Sequence, residues 1–265
     1  MPQFTKTRIA PTPSGYLHLG NALSFITTAK LARQTGAKLL LRIDDIDKQR
    51  VTDAYLQDVF DTLGFLQIKC DEGPRDVSEV KSEWSQYCRL NLYSNILERL
   101  KQQDVVYACN CSRRGIADCN CIELKIPLDQ PNVNWRLHTD DTLRIPIKTL
   151  EQGIIEAQLP ADMKDFIVRK KDGCPAYQLT SVVDDLHFGV DLVVRGEDLW
   201  HSTIAQIYLV DVLGYDDFKN ITFHHHSLLT DKDGTKLSKS AGATSIKYLR
   251  EHGYTLEDIY KELTM

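Results

Sequence analysis

The sequence has no apolar run that approaches the roughly 20 residues needed to cross a bilayer, and its opening, Met1-Pro-Gln-Phe-Thr-Lys6, lacks the apolar core of a secretion signal. Both absences point to a cytoplasmic protein with no membrane partner. Basic residues are not in excess: 32 Lys and Arg face 37 Asp and Glu, a formal charge of −5. That argues against non-specific nucleic-acid binding and leaves any RNA contact local. A disulfide framework is also missing, because the seven cysteines are an odd number and four of them crowd into positions 109–121. What remains is an ordinary globular balance, 42% hydrophobic and 26% charged over 265 residues, enough for one sizeable core and a smaller module.

The chain is organised around Arg8-Ile-Ala10-Pro-Thr12-Pro-Ser-Gly-Tyr-Leu-His18-Leu-Gly20-Asn21. A short apolar run meets two prolines that forbid a helix, and an amphipathic segment follows from Leu19. Leu19, Leu23, Ile26 and Ala29 are expected near one face of that helix, with a stop at Gly36 and a buried strand over Lys38–Ile43. This is a βαβ unit. In an open α/β sheet a ligand sits beyond the carboxyl ends of the strands, where a helix N-terminus can receive a phosphate, and His18 and Asn21 stand there.

Farther along, the spacing predicts a helix over Asp53–Leu63 closed by Gly64, and another between Trp84 and Gln103 with Tyr93, Ile96, Leu97 and Leu100 inward. Two Cys-x-Cys pairs, Cys109/Cys111 and Cys119/Cys121, enclose a short polar loop. Two such knuckles supply four thiolates for a closed tetrahedral zinc site; the bland alternative is free thiols in a hairpin, which would invite oxidation. Residues 122–165 read as a small β-containing module. Asp165–Arg169 is expected to begin the second half of the sheet, and Asp191–Arg195 reads as a buried strand ending in charge. After a helix over Ser202–Leu213, the run His224-His225-His226 lies on a strand, where alternating side chains cannot converge on a metal, so solvent-edge histidines are expected. Thr230–Ser240 is a glycine-containing loop with Lys236 and Lys239, followed by two short helices, one ending near Gly253 and one starting at Thr255 with Asp258 in a capping box.

Two of these stretches, taken together, resemble a known family. His18-Leu19-Gly20-Asn21 with its Arg8-x-Ala10-Pro-Thr12-Pro-Ser-Gly prefix is similar to the His-Ile-Gly-His signature of class I aminoacyl-tRNA synthetases as their glutamyl subgroup carries it. Lys236-Leu-Ser-Lys239-Ser resembles the second signature, Lys-Met-Ser-Lys-Ser. Arg42-Ile-Asp44-Asp-Ile-Asp47 is similar to the subgroup's Arg-Ile-Glu-Asp-x-Asp, with Asp44 one methylene shorter than the glutamate that holds the substrate ammonium. Tyr177 through Asp185 and Arg195-Gly196 match two further motifs.

The resemblance implies an α/β fold, a class I synthetase Rossmann-type doubly wound parallel sheet with a small zinc-containing insertion domain. It divides the chain into residues 1–104, the first half of the catalytic domain; 105–164, an insertion receiving the tRNA acceptor end; 165–240, the second half; and 241–265, a short helical segment too small for an anticodon-binding domain. It assigns His18, Gly20, Asn21 and Lys239 to ATP, with Lys236 also at the migrating charge. Arg8, Ala10, Thr12, Asp44, Tyr177 and Arg195 are assigned to L-glutamate. Mg2+ would accompany ATP, and Zn2+ would occupy the cysteine cluster. Glutamyl-Q tRNA(Asp) synthetases combine such a core with a zinc knot, so the implied reaction is formation of glutamyl-adenylate and transfer to the queuosine base of tRNA(Asp) by a monomer. A nucleotidylyltransferase sharing the His-x-Gly-His turn is not expected to carry the Arg8 prefix, Arg195-Gly196 and the Lys236 loop together. A zinc-structured RNA-binding module is not expected to keep His18 and Lys239. A truncated ligase charging another acceptor is the remaining alternative.

Overall fold

The structure is a computed structural model that describes residues 2–111, 119–229 and 245–264. The chain packs into two compact units, one of Met1–Cys88, Val190–Leu199 and Phe223–Met265, the other of Arg89–Gly189 and Trp200–Thr222. The segmentation expected at 104, 164 and 240 follows motifs rather than packing.

In the first unit, strand β1 (Lys6–Ile9) runs parallel to β2 (Lys38–Leu41) with Arg8 opposite Leu40, and parallel to β8 (Leu192–Gly196) with Thr7 opposite Leu192. The neighbour of β8 is β9 (Thr222–His226). Helix α1 (Leu19–Thr35) makes the crossover from β1 to β2 and ends, as expected, at Gly36, whose φ of 76° is the left-handed cap conformation. Its buried face is Ala22, Phe25, Ala29 and Ala32 rather than the expected leucine stripe. Small residues let the helix lie close to the sheet. Leu19 and Ile26, half-buried, pack against the same core cluster, to which Ile246, Leu249 and Ile259 of the final helices also belong.

Helix α2 (Asp53–Phe65) runs through Gly64 without interruption. The reversal comes at Gln67, with φ 55°, where the Ile68 amide reaches back to the Leu63 carbonyl. The chain then covers the open edge of β2: the Asp71 amide donates to Leu39 O, and the Leu41 amide to Glu72 O at 2.9 Å. The expected helix over Trp84–Gln103 is shorter. After a single turn, α3 (Val77–Glu79), and a π turn over Val80–Trp84, the chain is extended at Ser85 and becomes regular only in α4 (Leu90–Gln102). The Ser85 hydroxyl and the Gln86 amide both donate to the Asp45 carboxylate, at 2.6 and 2.7 Å, and these tertiary bonds replace the helical ones.

The second unit contains an antiparallel sheet of β3 (Val106–Cys109), β4 (Asn134–Leu137) and β7 (Ile167–Arg169). The Asp165–Arg169 stretch, expected to open the second half of the parallel sheet, instead pairs with β4. A hairpin of β5 (Ile145–Thr149) and β6 (Gly153–Ala157) follows the expected extended runs. Helices α5 (Tyr177–His187), α6 (Trp200–Leu213) and the one-turn α7 (Asp216–Lys219) complete this unit. The final helices, α8 (Ile246–Glu251) and α9 (Leu256–Thr264), belong to the first unit, and α9 packs on α1. They are separated at Gly253 as expected, and the Thr255–Asp258 capping box forms, with the Thr255 amide donating to Asp258 Oδ2 at 2.8 Å. No helix among the described residues is long and apolar enough to cross a membrane.

Candidate active site and metal centre

The N-terminus of α1 is closed by its own residues. His18 is the N-cap: its Nδ1 accepts the Gly20 amide at 3.1 Å, and its own amide donates to Asn21 Oδ1 at 3.0 Å. With Nδ1 accepting, the neutral ring carries its proton on Nε2. A Cβ at Gly20 would stand 3.0 Å from His18 Cε1, so any larger residue there makes the imidazole give by a few tenths of an ångström. The His-x-Gly-Asn pattern is thus a reciprocal cap that fixes the imidazole beside the first turn, where backbone N–H groups and the helix dipole favour an anion.

The segment after the Lys236–Ser240 stretch comes back to this turn. Ser245 forms a β-bridge with His18, and the Ile246 amide donates to Leu17 O at 2.8 Å. Lys236 and Lys239 themselves lie outside the described residues. Asp58, buried on α2, accepts the Leu17 amide at 2.9 Å and Arg250 Nη2 at 2.8 Å. Sequence reasoning missed Asp58, although an aspartate between Leu56 and Val59 on a buried helix face was a signal.

Charged groups gather at the carboxyl ends of the parallel strands. Arg8 is buried and its Nη1 donates to Val194 O at 3.4 Å, which ties the end of β1 to the residue preceding Arg195. Arg195 is buried too, its guanidinium 5.3 Å from the Phe223 ring centre. Asp44 follows β2, its amide bonded to Pro11 O at 3.0 Å. Its carboxylate is held in bidentate fashion by Arg42, Nε to Oδ1 at 2.8 Å and Nη2 to Oδ2 at 3.1 Å. This partner was not anticipated; it fixes the carboxylate's orientation. Ala10 is half-buried and Thr12 exposed in the same turn. The structure therefore brings Arg8, Ala10, Thr12, His18, Gly20, Asn21, Asp44 and Arg195 into one unit, whereas Tyr177, 39% exposed at the start of α5, belongs to the other.

The three consecutive histidines are half-buried rather than at a solvent edge. His225 stacks on Phe223, and burial together with the nearby Arg195 charge pushes its pKa down to about 3. Strand alternation anticipated the divergence of the three rings but not the layers covering both faces.

In the second unit, β3 delivers Cys109, and the four sulfurs of Cys109, Cys111, Cys119 and Cys121 all lie within 4.8 Å of one another. Cys109 and Cys119 are 3.7 Å apart, and Cys111 and Cys121 3.5 Å. A tetrahedral zinc with bonds of about 2.3 Å sets sulfur separations near 3.8 Å, so the donor set and its spacing fit that ion. The thiols titrate in opposite directions, Cys111 pushed up to about 12 by its sulfur neighbours and Cys121 drawn down to about 7 by the Asn110 amide and those neighbours against the effect of burial. Four thiols this close together form a donor set in which a divalent cation can replace the protons.

Comparison with known proteins agrees with this geometry. Residues 5–265 match the family described as "tRNA synthetases class I (E and Q), catalytic domain". The chain is 32% identical over 283 residues to glutamate–tRNA ligase 2 of Syntrophus aciditrophicus, covering 98% of this chain and 57% of the relative. It is 33% identical over 273 residues to glutamate–tRNA ligase of Anaeromyxobacter sp., covering 97% and 57%. It thus spans little more than half the length of these curated relatives. The crystal structure of glutamate–tRNA synthetase from Elizabethkingia anophelis superposes with a TM-score of 0.73 at 22% identity over 90% of this chain and 53% of that one, a likeness of fold. A mostly parallel sheet with helices, a capped signature turn, and a family match over nearly the whole chain together place this protein in the class I tRNA synthetases of the E and Q group, through their catalytic domain.

Proposed function

We propose that the chain activates L-glutamate with ATP and Mg2+ to glutamyl-adenylate and transfers the glutamyl group to tRNA, the acceptor being the queuosine base of tRNA(Asp). The observation that carries this reading is the β-bridge of Ser245 to His18, which joins the chain just beyond the second signature to the turn of the first. In the activation step a carboxylate oxygen of glutamate attacks the α-phosphorus of ATP, and the bond to the pyrophosphate oxygen breaks with its electron pair. The His18 Nε2–H, the positive end of the α1 dipole, and Lys236 and Lys239 are assigned to that charge, so catalysis rests on positioning and electrostatics rather than a nucleophilic side chain. In the transfer step an acceptor hydroxyl attacks the acyl carbon and AMP departs.

Selection of glutamate is assigned to Arg8, Arg195 and Tyr177 for the carboxylates and to Asp44 for the ammonium. Glutamine is disfavoured because its amide brings N–H donors toward Arg8, assigned to the side-chain carboxylate, whose guanidinium can only donate. Zinc at Cys109, Cys111, Cys119 and Cys121 would hold the start of the insertion together. The four-cysteine knot supports the glutamyl-Q reading, while the glutamate–tRNA ligase relatives favour the 3′ end of tRNA(Glu) as a second reading.

Amino-acid-dependent ATP–pyrophosphate exchange tests the first step, with glutamate preferred over aspartate and glutamine. Asp44→Glu should keep exchange, and Asp44→Asn should lose most of it. Transfer of labelled glutamate to queuosine-containing tRNA(Asp), but not to the same tRNA lacking queuosine or to tRNA(Glu), tests the acceptor. Labelling of tRNA(Glu) alone would replace the first acceptor with the second.

A further inference from the structure

We infer that Asp58 and Arg250 form a positioning clamp, which fixes the His18 turn against helix α8 and thereby raises the rate of adenylate formation rather than the affinity for amino acid. The inference rests on the reading that His18 faces ATP.

The two oxygens of Asp58 serve two different chain segments. Oδ2 takes the amide of Leu17, the residue before His18, and Oδ1 takes Nη2 of Arg250, the fifth residue of α8. The same two segments also touch through backbone alone, at the Ser245–His18 bridge and the Ile246–Leu17 bond. Asp58 thus stands behind a junction between stretches that are more than 200 residues apart in sequence, and α8 begins only six residues after Ser240.

The position is an expensive one for a carboxylate. Asp58 is 2% exposed, between Leu56 and Val59 on the buried face of α2. Burial lifts its pKa above the ordinary carboxylate range, while the Leu17 amide and Arg250 pull against that rise. A buried ion pair is seldom more stabilising than the apolar side chains that could replace it, and its best-attested use is to fix register between segments. Here the register is that of the imidazole relative to α8. Arg250 reaches the more exposed Asp61 only at 3.5 Å, so the buried Asp58 at 2.8 Å is the nearer of the two carboxylates. A misplacement of about 1 Å at such a turn can cost about 100-fold in rate while leaving a remote binding pocket intact.

The test uses the full chain with Asp58→Asn, Arg250→Met, Arg250→Lys, the double variant Asp58→Asn/Arg250→Met, and Asp61→Asn as the control. In glutamate-dependent pyrophosphate exchange, Asp58→Asn and Arg250→Met should each lower kcat about tenfold or more with the KM for glutamate within about twofold. The double variant should be no worse than the poorer single one, Arg250→Lys should recover part of the loss, and Asp61→Asn should match wild type. Hydrogen exchange should show the Leu17 and Ile246 amides losing protection in Arg250→Met while the β1 amides keep theirs. Wild-type kcat in folded Asp58→Asn and Arg250→Met, a loss that only tracks the unfolded fraction, or unchanged Leu17 and Ile246 protection would overturn the clamp. Should the wild-type chain exchange with no amino acid at all, the functional reading fails, and the amide protection still decides whether the junction is held by this pair.

Discussion

In the first unit the buried charges Arg8, Arg42, Asp44 and Arg195 lie toward the carboxyl ends of parallel strands, with Asp58 apart from them on α2; the second unit seals a charged pair between helices. In the second, Asp184 has no exposed surface and is gripped by Arg89, Nε to Oδ1 at 2.8 Å, and by the Tyr93 hydroxyl at 2.7 Å. Burial and the neighbouring Asp184 carboxylate drive the Tyr93 phenol pKa up, so the hydroxyl stays protonated as a donor. Each unit holds a buried ion pair, Arg42–Asp44 in the first and Arg89–Asp184 in the second, yet only the first lies where an open α/β sheet receives a ligand. Burial and pairing alone do not mark a site; position on the sheet does. The second unit's other polar cluster, four thiols, differs again, because its protons can be replaced by a metal ion.

Metal removal is the sharpest way to break this contrast. Structural zinc sites contribute about 10–16 kcal/mol of apparent binding free energy, so purified protein is expected to carry about one zinc per chain. Cys109→Ser with Cys111→Ser should lose it and lower the melting temperature. Elemental analysis without near-stoichiometric metal, or unchanged melting in the double variant, would reduce the cluster to free thiols.

Next in size is the sealed pair. Asp184→Ala leaves Arg89 charged and buried, and should cost about 3–5 kcal/mol in denaturant unfolding. Tyr93→Phe removes one hydrogen bond to a charged group and should cost about 1.5–3 kcal/mol. A loss under about 1 kcal/mol for Asp184→Ala would show that the triad behaves like an exposed ion pair.

Removing the capped imidazole should leave stability nearly alone and act on the reaction. His18→Ala is expected to slow pyrophosphate exchange by about 100-fold, on the order of 3 kcal/mol of transition-state stabilisation, with a smaller change in the KM for glutamate. Gly20→Ala should resemble it in milder form, since its Cβ would press on the His18 ring. Wild-type exchange in His18→Ala would remove ATP from this turn.

What could be read from the sequence was whatever local chemistry decides. The β1–α1–β2 unit, the stop at Gly36 and the Thr255–Asp258 box were legible because prolines, a left-handed glycine and a capping pair act within a few residues. The features that escaped depend on distant partners. Ser85 leaves the helical path to meet Asp45, Asp165–Arg169 joins β4 instead of the parallel sheet, and α1 buries alanines because apolar residues pack on it from two sides. At the site, the same division holds: the His18 cap was visible as a pattern, whereas Arg42's grip on Asp44 and the reach of Asp58 to Arg250 exist only once the sheet is assembled.

The smallest expected effect separates charge held for a site from charge excluded near it. His225 lies on β9 in the first unit, half-buried, with its ring 6.3 Å from the Phe223 ring centre and nearly parallel to it. Burial is the main reason its pKa falls to about 3; Arg195, His224 and His226 push the same way, and Asp198 pulls against them. The unfolded chain, with an ordinary histidine pKa of about 6.5, binds a proton between about pH 6.5 and 3 that the folded chain refuses. This contribution to stability is therefore complete above about pH 6.5 and is lost as pH falls, at no more than about 1.4 kcal/mol per unit for one proton. Partial exposure and screening should reduce the loss to about 1 kcal/mol between pH 7 and 5. Urea unfolding of wild type and His225→Gln across that range is expected to show the difference, with the variant's stability flatter toward acid, and the His225 ring resonances should remain those of a neutral imidazole at pH 5. Parallel stability curves, together with a ring that titrates near pH 6.5, would mean that Arg195 and the layers over β9 do not exclude a second positive charge, and that the first unit tolerates charge at this edge whether or not a ligand is there to receive it.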